Sequence, residues 1–256
     1  MPETERVRRF DSKSALVTGA AAGIGRATAI RLASEGAQVF ACDVDGDGLA
    51  ATVATITAAG GVAVAQRLDV ADPAACRDAV AAATLRFGQL DVLCNIAGIM
   101  RFAHATEIAE AEWNRMLAVN LSGVFFLSQA AIPHLLATRG VIVNMASAAG
   151  VKGQAYTLPY SVAKAGVVSL TKCLAVEYAK RGLRVVALAP GGVKTALTAS
   201  VKFPEGFDPA LIQKLMPLME LATPDEIAAA VAYLASAEAR YINGAVLSID
   251  GGQTAG

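Results

Sequence analysis

Residues 14–25 read Ser14-Ala15-Leu16-Val17-Thr18-Gly19-Ala20-Ala21-Ala22-Gly23-Ile24-Gly25. A short apolar run, SALVT at 14–18, passes straight into a glycine-spaced turn, and the turn opens a helix-length stretch at 24–35. Glycines at such a junction let the backbone turn tightly and come close to a pyrophosphate, which then rests on the positive end of the helix. The spacing is GxxxGxG rather than GxGxxG, and a glycine cluster alone is also what a plain strand-to-helix connector contains. Its place between the first strand and a helix favours the nucleotide reading.

The same alternation runs outward from this unit. Apolar runs at 14–18, 37–42, 62–68, 90–95, 140–145, 183–189 and 245–250 read as buried strands, because near-continuous apolarity suits a sheet covered on both faces. Helix-length segments at 24–35, 46–59, 73–87, 110–131, 157–180 and 224–236 lie between them. Asp72-Pro73 and Thr223-Pro224-Asp225-Glu226 are start signals, and Gly36, Gly60-Gly61, Gly88 and Gly182 are stop signals. Strand–helix alternation implies parallel strands joined by right-handed crossovers, hence a doubly wound α/β Rossmann fold with helices on both faces. No linker, repeat or low-complexity tract divides the chain, so residues 1–256 are expected to form a single dinucleotide-binding catalytic domain. The irregular stretch at about 191–222, rich in Gly, Pro, Phe and Met, is expected to be a substrate lid. Apolar residues at 211, 215 and 219 are equally what a helix packed on the core would show.

Composition excludes several classes. Of 256 residues, 22 are basic and 22 acidic, giving zero formal charge and none of the basic excess of a nucleic-acid binder. Although 55% of residues are apolar, no run approaches the ~20 consecutive apolar residues of a membrane span. The opening MPETERVRRF lacks the apolar centre of a secretory signal, and a cytoplasmic protein without membrane or nucleic-acid partners is expected. Cys42, Cys76, Cys94 and Cys173 form no CxxC pair; Cys42 and Cys94 read as small core hydrophobes. His104 and His134 lack a second ligand at metal spacing, so no metal is expected.

A few polar residues carry chemistry. Asp43 ends the second strand about 20 residues past the glycine turn, where an acid is suited to bind the adenosine ribose; it also stands in an acidic turn where it could simply cap a helix. Asp69, at the end of the third strand, is likewise a cap or a cofactor contact. Tyr160 and Lys164 are four apart, so a helix places them on one face. A free phenol titrates near pH ~10; a cation ~4 Å away at an effective dielectric of ~20 contributes ~4 kcal/mol and lowers it. That predicts a proton-passing tyrosine, although such pairs also occur on plain surfaces. Ser147 follows the strand GVIVNM, at the end of a parallel strand where ligands bind, and serves either a substrate oxygen or its own turn. Asn120 falls inside an apolar helical stripe of Trp113, Met116, Leu117, Leu121 and Val124, where a buried amide needs a partner or a function.

Taken together, TGAAAGIG at 18–25, DV at 69–70, NIAG at 95–98, Asn120, Ser147, YSVAK at 160–164, PGGVKT at 190–195 and DGG at 250–252 resemble the short-chain dehydrogenase/reductase family, in its short single-domain branch. The resemblance covers about residues 12 to 252. It implies a seven-stranded parallel sheet in the order 3-2-1-4-5-6-7. It also implies Tyr160 as general acid/base and Lys164 as the group that lowers its pKa and holds the nicotinamide ribose. Ser147 would orient the substrate oxygen, and Asn120 would hold a water that relays protons towards Lys164. The cofactor would be held by Gly19, Gly23, Ile24, Gly25, Asp43, Asp69, Val70, Asn95, Ala97, Gly98, Tyr160, Lys164, Val193 and Thr195. Two positions depart from the family pattern: Ile96 replaces a usual asparagine, and Ala146 replaces a serine that often precedes the catalytic one.

The expected activity is NAD(H)-dependent interconversion of a secondary alcohol and a ketone. An NADPH-dependent 3-oxoacyl-thioester reductase shares the catalytic residues, and a nucleotide-binding regulator without catalysis is the third reading. Asp43 favours NAD, since Ala22 and Val44 stand where NADP-selective relatives place a base. The substrate is expected to be a small, largely apolar alcohol or ketone. Candidate contacts are Met100, Phe102, Val151, Tyr156 and Leu158, with Arg101, His104 and Gln154 as polar options and Leu197, Val201, Phe203, Phe207, Leu211, Leu215, Met216 and Met219 from the lid. A homotetramer is expected through helices 110–131 and 157–180, the latter presenting Ala163, Val167, Leu170 and Leu174.

Overall fold

The computed structural model describes residues 8–255. Seven strands form one sheet: β1 (Ser14–Thr18), β2 (Gln38–Asp43), β3 (Val62–Arg67), β4 (Val92–Asn95), β5 (Val141–Met145), β6 (Arg184–Pro190) and β7 (Val246–Ile249). All neighbouring pairs are parallel, in the order β3-β2-β1-β4-β5-β6-β7. The Rossmann fold and strand order expected from the sequence are therefore present.

Period-two alternation gives each interior strand two apolar faces. Val17, Val39, Ala41, Cys94, Val143 and Val186 face one cluster, packed on α1 (Gly23–Ser34) and α9 (Pro224–Ala235) through Leu32, Ile227 and Val231. Leu16, Phe40, Cys42, Leu93, Ile142 and Val185 face the other, covered by α3 (Pro73–Phe87) and α5 (Gly123–Thr138) through Val80, Leu127 and Leu135. Each such fully buried aliphatic side chain is worth about 1.5–3 kcal/mol. The two edge strands differ from the reading of uniformly buried runs. β3 and β7 are mostly half-exposed, because an edge strand has a neighbour on one side only and its helices leave its flank open.

The helix signals act as predicted. Asp72 caps α3 by accepting from the N–H groups of Ala74 and Ala75, and Thr223 and Glu226 form a reciprocal capping box on α9. Gly36, Gly60, Gly88 and Gly182 all take positive φ at helix ends. The remaining helices are α2 (Gly46–Ala58), α4 (Glu110–Leu117), α6 (Leu158–Tyr178), α7 (Ala196–Ala199) and α8 (Pro209–Gln213).

The segment read as helix 110–131 runs on to Thr138, past Pro133. Pro133 is exposed and so is Gln129, whose carbonyl loses its helical partner to the proline, so water can take that bond. A π-helical turn, Ala118–Ser122, joins α4 to α5. Glu110–Thr138 is the one helix among the described residues long and apolar enough by length and composition to cross a membrane. Its apolar side is instead used on the sheet, through Val119, Val124, Leu127, Ala131, Ile132 and Leu135. Cys42, Cys76 and Cys94 are buried and Cys173 is exposed; all four are free thiols. Burial pushes the Cys76 thiol up to about 11 and that of Cys94 to about 12. Residues 1–7, on which part of the signal-peptide reading rests, lie outside the described residues.

Candidate active site

Sheet order reverses at β1, which has β2 on one side and β4 on the other. In a doubly wound sheet the crevice opens there, outside the C-terminal strand ends. Two adjoining cavities, of about 260 and 290 Å³, occupy this crevice and share Ile24, Ile96, Gly98, Thr195 and Leu197 as their common wall.

The first cavity is lined by Gly19, Gly23, Gly25, Asp43, Asp69, Val70, Ala97 and Arg115. A Cβ on Gly25 would lie 2.0 Å from the Gly19 carbonyl oxygen, and one on Gly19 would lie 3.0 Å from the Ala97 backbone, where φ is +69°. Only glycine packs the turn this tightly against the loop after β4. The helix N-terminus behind it, that of α1, has Ala22 at its cap position, with no capping side chain and no acid in its first turn. Its free N–H groups and dipole suit an anion. A glycine cradle, an uncapped helix start and a carboxylate at the next strand end fit a dinucleotide.

Asp43 is braced from within. Its Oδ2 accepts from Ala21 N at 3.0 Å and its Oδ1 from Asp45 N at 3.1 Å. A carboxylate has about four acceptor positions, so the turn-bracing and ribose readings coexist. Asp69 accepts from Ala71 N and pairs with Arg115 at 3.0 Å. Burial raises its carboxyl pKa, but the Ala71 N–H and the Arg115 guanidinium more than reverse this, leaving it below the usual range.

The second cavity holds Ser147, Tyr160 and Lys164. Ser147, just past β5, and Tyr160, in the first turn of α6, line this cavity together, and the serine hydroxyl acts to lower the phenol's pKa. Lys164 is 2% exposed, and its Nζ donates to the Met145 carbonyl at 2.7 Å. The expected cation beside the phenol takes a different form here. Nζ lies 5.6 Å from the Tyr160 ring centroid because the buried carbonyl has claimed it. Burial raises the Tyr160 pKa and only the Ser147 hydrogen bond opposes it, while burial lowers Lys164 to about 8.

Asn120 is fully buried in the π-turn and clamps the loop after β4. Its Oδ1 accepts from Ile99 N at 3.2 Å, and its Nδ2 donates to Ile99 O at 2.9 Å and Met116 O at 3.1 Å. Gly98 fits between this amide and the lysine. A Cβ there would meet Asn120 Oδ1 at 2.7 Å and Lys164 Nζ at 3.6 Å.

Val193 and Thr195 line the second cavity; Val193 is held by a parallel bridge to Ala222, and Thr195 caps α7. Asn95 does not line either cavity. Strand alternation turns it into the core, where its amide donates to Asn144 Oδ1 at 2.9 Å and Ser128 Oγ at 3.2 Å. Met100, Phe102 and Gln154 line the substrate cavity with Leu197, Val201, Phe203, Leu215 and Met216, whereas Val151, Tyr156, Leu158, Phe207, Leu211 and Met219 do not. Arg101 is drawn away by Glu112, and His104 by the Glu205 carbonyl at 2.9 Å. No side chain of α7 or α8 is buried, so these short helices roof the cavity rather than pack on the core.

Four residues of the crevice escaped the sequence reading. Thr18 Oγ1 accepts from both Ile96 N and Ala97 N, tying β1 to the loop after β4. Arg115 reaches Asp69 across 46 residues, Arg67 pairs in register with Asp43, and Gln253 returns from the C-terminal end to the substrate cavity. All four depend on contacts between distant segments; only the DGG run next to Gln253 was a local cue.

Comparison with known proteins shows the family and the fold. A family model described as enoyl-(acyl carrier protein) reductase matches residues 19–254. The chain belongs to the short-chain dehydrogenase/reductase family. Family relatives include a D-threitol dehydrogenase from Mycolicibacterium smegmatis, 43% identical over 96% of this chain and 94% of that protein. A cyclohexanol dehydrogenase from Acinetobacter is 39% identical over 96% of both chains, and a 3-oxoacyl-[acyl-carrier-protein] reductase from Thermotoga maritima is 38% identical over 95% and 98%. Among solved members, carveol dehydrogenase from Mycobacterium avium, in complex with NAD, superposes with a TM-score of 0.89 at 30% identity, covering 98% of this chain and 100% of that one. The chain is thus a family oxidoreductase.

Proposed function

We propose that this protein is an NAD(H)-dependent dehydrogenase that interconverts a small secondary alcohol and its ketone. The observation that carries the reading is the meeting of Ser147 and Tyr160 on the wall of one largely apolar cavity, beside a buried Lys164. The substrate oxygen sits against both hydroxyls; Ser147 orients it and Tyr160 exchanges its proton. The dinucleotide supplies the hydride acceptor when bound, held by Gly19, Gly23, Ile24, Gly25, Asp43, Asp69, Val70, Ala97 and Gly98 along the first cavity and by Val193, Thr195 and Lys164 at the second. Because Asn120 spends its side-chain amide on Ile99 and Met116, any water it holds sits on its main-chain carbonyl, in a turn type that disturbs the regular i+4 ladder. Burial keeps the phenol protonated at neutral pH, which suits ketone reduction; alcohol oxidation needs the phenolate and therefore speeds up as pH rises.

Asp43 supports NAD over NADP. A 2′-phosphate ~5 Å from its carboxylate meets ~3 kcal/mol of repulsion per charge pair at an effective dielectric of ~20, before salt screening. Arg26 does not offset this, because its guanidinium is tied to Thr52 at 3.1 Å and to the Gly48 carbonyl at 3.3 Å. Arg67 is the nearby base, with Nε on the Val44 carbonyl at 3.0 Å. The relative from Thermotoga favours a second reading, NADPH-dependent 3-oxoacyl-thioester reduction. The two separate in one experiment: NAD(P)H change over a panel of secondary alcohols, hydroxysteroids and 3-hydroxyacyl thioesters with each cofactor. We expect at least a tenfold kcat/KM preference for NAD, and loss of that preference in Asp43→Ala, which removes the carboxylate that repels the phosphate. Equal efficiency with both cofactors in the wild type overturns the NAD assignment. The same reading includes a homotetrameric, cytoplasmic enzyme, as in the expectation drawn from the family.

A further inference from the structure

The last turn of the described chain lies over the substrate cavity and is internally braced. Asp250 accepts from Gly252 N and Thr254 N, both at 3.0 Å, and from the Thr254 hydroxyl; Gln253 N in turn donates to the Asp250 carbonyl at 3.1 Å. From this turn the Gln253 side chain reaches the wall of the cavity that holds Ser147 and Tyr160. Gln253 is 8% exposed, and its Oε1 is buried without a hydrogen-bond partner among the described residues. Gly191 makes room for it, since a Cβ there would lie 2.8 Å from Oε1.

The other polar groups on this wall are occupied or wet. Ser147 accepts from Ala149 N and, like Tyr160, is only partly buried, Lys164 holds the Met145 carbonyl, and Thr195 and Thr198 bond to one another, with Thr198 also on the Val193 carbonyl. Gln154 is only partly buried, so water reaches it. Among the described residues that line this wall, Gln253 alone combines burial with an unmet acceptor. Native proteins seldom leave a buried amide unpaired, and the exceptions call for an explanation.

We propose that Gln253 recognises a second oxygen on the substrate, so that the cavity takes a diol or hydroxyketone in preference to a simple alcohol. This rests on the dehydrogenase reading given above. An amide offers N–H donors and a carbonyl acceptor, and a turn about its last bond exchanges them. A hydroxyl can answer either, a ketone oxygen answers the N–H, and a hydrocarbon answers neither. Glutamine carries no charge, so the recognised group is a neutral oxygen rather than a carboxylate. A site built around such a hydrogen bond rejects analogues that lack it far more strongly than an apolar wall rejects an added hydroxyl.

The test compares kcat/KM for cyclohexanol with that for cyclohexane-1,2-, 1,3- and 1,4-diols, and for 2-butanol with 2,3-butanediol, all with NAD. The readout is the diol-to-alcohol ratio, in the wild type and in Gln253→Met, which keeps length and removes the amide. We expect at least one diol to be preferred about tenfold or more, and the ratio to fall about tenfold in the variant. NADH binding by fluorescence and the thermal midpoint verify that the variant is folded; Gln253→Leu replaces it if it is not. A wild type that oxidises every pair with equal ratios, or a folded variant that keeps the wild-type ratio, overturns the role of Gln253 and leaves the dehydrogenase reading standing. Failure to oxidise any of these compounds or the wider alcohol panel, with NADH still bound, overturns both.

Discussion

At the scale of single residues, the proposed chemistry rests on Tyr160 and Lys164. Among the described residues Tyr160 has the one phenol that lines the cavity with Ser147, so Tyr160→Phe removes the transferable proton and leaves the ring in place. Turnover is expected to fall by ~10²–10⁴-fold with NADH binding retained; a variant keeping a tenth of wild-type turnover, with chemistry rate-limiting, contradicts the role. Lys164 has a second, thermodynamic signature. Its pKa falls from 10.5 unfolded to about 8 folded because burial penalises its charge. Between those values the unfolded chain binds more protons, so this group's contribution to stability rises with pH across the window. Below pH 8 both states are protonated and the penalty is complete, about 3 kcal/mol at 1.36 kcal/mol per unit. Lys164→Met should therefore be more stable than the wild type at pH 7, and that gain should shrink between pH 8 and 10.5 in denaturant titrations. A gap that does not change with pH shows that the lysine is well solvated in the fold and keeps its ordinary pKa. The tyrosine, the lysine and the serine were legible because their spacing brings them to one crevice in a parallel α/β sheet. The hold of the Met145 carbonyl on Lys164 was not, since nothing in YSVAK tells which buried acceptor an ammonium will choose.

At the scale of elements, the π-turn at Ala118–Ser122 does work that a regular helix could not do in the same register. It places Asn120 against both main-chain groups of Ile99, so one side chain satisfies a donor and an acceptor of the loop that floors both cavities. Asn120→Ala strips those partners from a buried site. At about 1–3 kcal/mol per unsatisfied group, a loss of about 2–4 kcal/mol in unfolding free energy is expected by chemical denaturation. A loss under 1 kcal/mol means that water replaces the amide easily. The sequence marked Asn120 as an oddity in an apolar stripe, but a stripe read at 3.6 residues per turn has no place for an extra residue, so the π-turn stayed hidden. The reach of α5 past Pro133 was missed for a related reason: the cost of a proline depends on whether the freed carbonyl sees water, and exposure is a property of the packed molecule. Asn95 shows the converse. Its motif pointed to the cleft, yet strand alternation turned it into the core network with Asn144 and Ser128.

At the scale of the whole molecule, the doubly wound class was readable because βα alternation leaves few topologies, the strand order was implied by the family resemblance, and the crevice follows from where that order reverses. The surface was less so. Ala163 and Val167, expected on an outer face of α6, are fully buried on the body of the protein, and the outer stripe is formed by Leu158, Val162, Ala165, Ser169, Cys173 and Val176 instead. Val176 is 82% exposed and Phe125 on the neighbouring α5 is 41% exposed, an apolar strip suited to a self-complementary contact. Light scattering at micromolar concentration is expected to give about 105 kDa, four times the 26.2 kDa chain; a mass near one chain rules the assembly out. Cys173 makes the same question answerable by reagent kinetics. Of the four thiols it alone lies in the open, and on that strip, while burial holds the others protonated and out of reach. A disulfide reagent should therefore count one fast thiol per dissociated chain, none while the strip is covered, and four only on unfolding, so that a single stopwatch measurement separates the loosening of the assembly from the melting of the fold.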